Sequence, residues 1–365
     1  MPSDALALML RLQRCDTTGV DRCLGRNPHA LAELAAAALV GGMSVPLLHA
    51  LEANAMTVRI GEEARRELTQ RRERQRARYA RLVRGLGEIA TDFAAADVPF
   101  MLLKGPWLAL RLHGDAEARE FLDLDLLVRE SDRARALAQL AASGYTRRSR
   151  VIGGAAATAR FVHGFDYVRE GVSVDLHWRL SCDPSLAIDE RGVWARAGVI
   201  RLDDHEYTVP ADEDALTLAV LGLLRDIERA RPKYKNVVEL AALAAAMDAT
   251  SDWDALFARG RREGTLGPLV NVLALVLDET DAHALAPRLA DTVAHHAGRR
   301  VPLPRAASLL APGAAGVRLP SRLWAARAHD TSFVRWLAWR IVSLPFRRAA
   351  HGWPRPVAPG SGRGA

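Results

Sequence analysis

The chain has 365 residues, of which 49% are hydrophobic and 25% charged, and its 50 Lys and Arg outnumber 43 Asp and Glu for a formal net charge of +7. That length suffices for two or more domains with their own cores, and the balance excludes a disordered, fibrous or collagen-like chain. No uncharged apolar run approaches the length of a bilayer span. Cys15, Cys23 and Cys182 have no metal-ligand spacing and cannot all pair, and MPSDALALML lacks the basic start and sustained apolar stretch of a secretory signal. Both features point to a cytoplasmic protein.

In chain order, residues 1–97 read as a helical segment. Apolar stretches such as ALAELAAAALV are broken by Gly-Gly and Pro, and a long Arg-rich helix runs from Glu62 to about Ala96. Residues 98–210 form an α/β unit. It holds a short strand at Phe100–Leu103, a strand around Asp123, a helix at 131–143, and two strands within FVHGFDYVREGVSVDLHW that reverse at Glu170-Gly171. A further strand is expected at HEYTVP. Residues 211–330 turn all-helical, beginning with DEDALTLAVLGLLRDIERA, whose acids sit at the end the helix dipole favours. LGPLVNVLALVL reads as a buried helix. Residues 331–365 form a basic amphipathic tail with a disordered end beyond Ala350.

The candidate chemistry lies in the α/β unit. Alternation along a strand puts Asp123 and Asp125 on one face, with Leu124 and Leu126 on the other. Asp175 likewise shares a face with Ser173 and His177. If the two strands are neighbours, three carboxylates converge, which is costly without a cation. Hard oxygen ligands with room for water suit Mg²⁺ and the phosphates that complete its shell. Each strand alone is also what the solvated face of an ordinary half-buried sheet looks like. Upstream, VPFMLLKGPWLALRLHG ends a strand at Lys104-Gly105 and opens a helix with Pro106 at its first position. Gly lets backbone approach a ligand, and the new helix offers free N–H groups to an anion.

LLKG at 102–105, Arg119, DLDLLV at 123–128 and DLHW at 175–178, in that order, resemble the bacterial uncharacterised nucleotidyltransferase family of the polymerase β-type superfamily. The resemblance covers roughly residues 75 to 280 and includes Trp253-Asp254 near a helix start. It implies an α+β fold: a small mixed sheet with helices, flanked by helical segments. It also implies a two-metal Mg²⁺ site on Asp123, Asp125 and Asp175, with an NTP as substrate and Lys104, Gly105, Arg119 and His177 around the nucleotide; a turn Arg119 bonding a nearby carboxylate and a structural His177 packed near Trp178 are the alternative readings of those two. Two departures stand out. Gly105-Pro106 replaces the superfamily's Gly-Ser or Gly-Gly turn, and KYKNVVEL carries Glu239 where Asp is common, a position given no catalytic weight.

The expected function is Mg²⁺-dependent transfer of a nucleoside monophosphate from an NTP to a hydroxyl. From Arg299 onward twelve Arg face one acid, Asp330, so the chain before it is net negative. That argues for a small-molecule or protein acceptor and against nucleic acid. The alternatives are a non-catalytic, antitoxin-like regulator or complex subunit, or a membrane-surface or RNA-associated protein acting through its Arg-rich ends. In the tail, Phe333, Leu337, Ile341 and Leu344 recur at helical spacing, fitting either a helix docked on the domain or a surface helix on an anionic partner.

Overall fold

In the computed structural model the described residues are 3–183, 185–229, 233–300, 339, 341–347 and 350. Helices α1 (Ser3–Gln13), α2 (Thr17–Arg26), α3 (Ala30–Gly41) and α4 (Ser44–Ala53) precede α5 (Glu62–Ala95), and an α/β stretch follows. Its elements are β1 (Phe100–Leu102), α6 (Pro106–His113), β2 (Leu124–Val128), α7 (Arg133–Ala142), β3 (Thr146–Arg147), α8 (Ala155–Thr158), β4 (Gly164–Arg169), β5 (Val172–His177), α9 (Glu190–Arg196), β6 (Gly198–Leu202) and β7 (His205–Val209). Helices α10 (Asp212–Glu228), α11 (Tyr234–Met247), α12 (Trp253–Glu263), α13 (Leu266–Thr280) and α14 (Pro287–His295) follow the sheet, and residues 341–347 are helical as well. The architecture is the α+β arrangement the sequence leads one to expect.

The strands form one mixed sheet in the order β3-β4-β5-β2-β1-β7-β6. β2 runs parallel to β5 and antiparallel to β1, while β4 and β5 form an antiparallel hairpin. Glu170 (φ 49°) and Gly171 (φ 79°) make its two-residue turn, and positive φ at both matches the right-handed twist of the flanking strands. β6 and β3 are additions that the sequence pattern did not announce. GVIRL is largely exposed and lacks a buried alternating face, and β3 is only two residues long.

Each face of the sheet has its own core. Leu124, Leu126 and Val128, with Val174, Leu176, Trp178 and Phe165, enter the main core. There α5 packs close to β5: a Cβ on Gly85 would lie 2.8 Å from Val172 Cγ1, so the crossing needs glycine. On the opposite face Met101, Leu103 and Leu127 join Leu180 and Val193 in a smaller cluster, with Trp194 and Leu218 against it. Helices α9 and α10 therefore cover that face at one end, while Asp125 and Asp175 share its other end.

The helices before and after the sheet pack together. α1 lies on α11 and α13, and Arg11 Nη2 donates to the Asp281 carbonyl at 2.7 Å. Every residue of α13 except Asp278 is buried, as an all-round apolar helix requires. Among the described residues no helix is long and apolar enough to cross a membrane. In the tail, Phe333 and Leu337 and the end beyond Ala350 lie outside the described residues. Ile341, Val342 and Leu344 are exposed, whereas Ser343 is buried and the Phe346 ring stacks on Phe161 at 4.2 Å.

Candidate metal and phosphate site

Register builds the site. Asp125 on β2 pairs with Asp175 on β5, and Asp175 pairs with Asp166 on β4, so three carboxylates stand in one row across three strands. His177, two residues past Asp175, brings Nε2 to 3.3 Å from Asp175 Oδ2 and 3.7 Å from Asp125 Oδ1. Lys104, just past the end of β1, holds its Nζ 3.6 Å from Asp125 Oδ1 with about half its side chain exposed. At the turn, Gly105 takes φ 73° and caps α6, whose first residue is Pro106.

These charges set one another's protonation. Burial alone would raise the Asp125 carboxyl, but the Lys104 ammonium and the His177 ring outweigh it and hold that carboxyl well below the usual range. Burial disfavours the charged ring of His177, yet Asp175 and Asp125 push its pKa up to about 9. Asp123 lies at the exposed mouth of β2. Desolvation by surrounding protein, followed by the charges of Asp125 and Asp175, raises its pKa.

The donor set fits a divalent cation. Asp125, Asp175 and His177 each offer one ligand atom, all within 4.8 Å of one another. Two carboxylates and an imidazole are acceptable ligands for several first-row metals, and the carboxylates alone suit Mg²⁺. Asp123 stands outside that group of three.

Arg119 is placed differently from the other residues singled out. Its guanidinium is buried and donates from Nε and Nη2 to the two carboxylate oxygens of Glu239 on α11, at 2.8 and 3.0 Å. Lys235, one turn earlier on α11, donates to the Glu120 carbonyl. Burial and the nearby Arg119 lower its pKa to about 8. Helix α11 thus grips the loop that delivers Asp123, and the Lys235 charge in turn reaches that carboxylate.

Asp166 is a residue the sequence reading did not single out. Its amide donates to Ser149 Oγ at 2.8 Å, and burial followed by the Asp175 charge raises its pKa to about 6. The signal was present. Once Glu170-Gly171 is a two-residue hairpin turn, counting back along both strands sets Asp166 opposite Asp175.

Comparison with curated proteins gives no match. The profile of the family described as "Uncharacterised nucleotidyltransferase" matches residues 26–278, more than half of the chain, and this protein belongs to that family.

Proposed function

We propose that the chain is a Mg²⁺-dependent enzyme that moves a nucleoside monophosphate from an NTP to a hydroxyl of a small-molecule or protein acceptor in the cytoplasm. The observation that carries this reading is the in-register pair Asp125–Asp175 on adjacent parallel strands, with Lys104 3.6 Å from Asp125.

Asp123, Asp125 and Asp175 would hold the metal, with His177 beside them. When bound, Mg²⁺ supplies positive charge to the triphosphate and aligns the attacking and leaving oxygens. The chain's own groups do the rest. Lys104 adds a point charge for the phosphates, and the first turn of α6 after Gly105 presents unpaired N–H groups and a positive dipole end to them. Asp175 would receive the acceptor's proton, and His177, with Nε2 3.3 Å from its Oδ2, would hold that carboxylate in place. Arg119, paired with Glu239, acts by fixing the 119–123 loop. Phosphoryl transfer asks mainly for positioning and charge stabilisation, so this short cast of side chains is sufficient.

The test is calorimetric titration with Mg²⁺–ATP, –CTP, –GTP and –UTP, followed by incubation with the α-labelled nucleotide and a cell extract. The expected result is nucleotide binding and a labelled product, both lost in Asp125→Asn. A wild-type chain that binds none of the four would overturn the proposal.

A further inference from the structure

His177 is the one ring among the candidate cation ligands, and strand geometry alone does not aim it. β5 fixes its Cα and the face it occupies, but the terminal torsion of an imidazole lies in a broad, roughly two-fold well. Turned about that bond, Nε2 would leave Asp175 Oδ2 and Asp125 Oδ1, which lie 3.3 and 3.7 Å away. The ring therefore needs a neighbour that holds its plane.

The start of β4 supplies one. The His163 ring stacks on the His177 ring, with centroids 5.0 Å apart and planes 16° from parallel. A parallel ring at that distance blocks rotation of His177 toward it. His163 is itself tied to β5, because its carbonyl accepts the Trp178 amide at 2.9 Å. The next residue, Gly164, pairs with His177 across the ladder. A Cβ on Gly164 would lie 3.1 Å from Asp175 Oδ1, 3.2 Å from His177 Nδ1 and 2.7 Å from the Leu176 carbonyl oxygen. Gly164 does not take a positive φ, so it is the space beside these side chains, not the backbone angle, that calls for glycine. On the core face the same corner is pinned by Trp178, fully buried with its ring centre 4.9 Å from that of Phe165.

We propose that His163 is a positioning residue: its ring, with the space left by Gly164, holds His177 so that Nε2 faces Asp125 and Asp175. The proposal rests on the reading of the site given above and adds to it a residue that acts only through His177. Groups that orient a metal-ligating histidine change metal affinity by about 10–100-fold when they are removed. A stack restrains the ring without charge or hydrogen bond, which places the expected effect at the lower end of that range.

The experiment uses the full chain with Mn²⁺ alone as the probe, since Mn²⁺ accepts both carboxylate and imidazole, and counts the free ion by electron paramagnetic resonance. His163→Ala should weaken Mn²⁺ binding about tenfold, and His163→Gln, polar but without a ring, should weaken it as much. His163→Phe keeps the stack and should recover most of the affinity. In labelled transfer the His163→Ala rate should climb back as Mg²⁺ is raised about tenfold, a response that a general loosening of the fold would not give. His163 is half-buried, so these variants should fold. If His163→Ala does not, His163→Phe against His163→Gln decides the point, because one keeps only the ring and the other only the polarity. Affinity unchanged in His163→Ala, or kept in His163→Gln and lost in His163→Phe, would overturn the role of the stack. A wild type that binds Mn²⁺ but none of the four Mg²⁺–nucleotides would instead sink the transfer reading and leave the comparison of variants standing.

Discussion

Helix α13 and the carboxylate end of β2 follow opposite rules. Along α13, Leu269, Val270 and Leu273 are buried among apolar side chains, and packing against α1, α10 and α11 supplies their stabilisation. At the end of β2, like charges are crowded together and held by Lys104, His177 and protein dipoles. The helical layer is held by apolar packing, whereas the strand ends gather charges that Lys104 and His177 offset. Between them lies Arg119–Glu239, a buried ion pair joining the helical half to the loop of Asp123. Substitutions in the three places should therefore separate activity from stability.

The largest effect is expected at the strand ends. Asp125→Asn should lower transfer by about a thousandfold, or ~4 kcal/mol of transition-state stabilisation, while circular dichroism shows an intact fold. Comparable activity in the variant would remove Asp125 from the chemistry. Next is the junction. Glu239→Gln leaves the buried Arg119 without its counter-charge, and chemical denaturation should show a loss of about 3–5 kcal/mol. Nucleotide affinity should fall with it, because the same loop carries Asp123. A drop in stability with unchanged affinity would separate the pair from the site.

Leu273→Ala tests the other pole. Leu273 is fully buried in α13, so the cavity should cost about 2–5 kcal/mol in denaturant unfolding, with kcat per folded molecule unchanged. If kcat falls as well, the two regions are coupled more tightly than the junction alone explains.

Acid offers a milder probe of the junction. Burial pushes the His113 imidazole from 6.5 down to about 4, Glu239 pulling it up and His49 and Arg119 pushing it down. Because the folded pKa lies below the unfolded one, the unfolded chain takes the proton first as pH falls. Stability is thus lost between about pH 6.5 and about pH 4, by on the order of 3 kcal/mol. The comparison of wild type with His113→Leu across that window isolates this group from the carboxylates. Parallel curves would remove it as the cause.

Much of this was legible along the chain, for reasons that differ by element. α5, α10, α12 and α13 announce themselves by 3.6-residue periodicity, and β2 and β5 by alternation. The hairpin turn at Glu170-Gly171 is local chemistry. The pairing of β2 with β5 is another matter: it joins strands about fifty residues apart, and the family resemblance, not the spacing, pointed to it. The partnership of Arg119 and Glu239 spans a still longer separation, and the sequence marks Glu239 only as standing where Asp is common, with no partner named. Of the four tail residues at helical spacing, only Ile341 and Leu344 are among the described residues. They keep helical spacing yet lie exposed, because Phe346 and Ser343 are the residues turned inward.

The smallest effect, and the most discriminating, is expected at Gly105. A Cβ there would meet Phe121 no closer than 3.8 Å, an ordinary contact, so space does not demand glycine. The backbone does: φ 73° with ψ −129° is a conformation other L residues adopt only at a cost of about 1–3 kcal/mol. Gly105→Ala should therefore lower the unfolding free energy by that amount if the turn is kept. If the turn relaxes to negative φ instead, the loss of stability shrinks, but Lys104 and the first N–H groups of α6 swing away from Asp125. Stability and Mg²⁺–nucleotide affinity then move in opposite senses. Measuring both in one variant decides whether the turn is held rigid by the sheet or shaped for the phosphates. A variant unchanged in both would show that this conformation does neither.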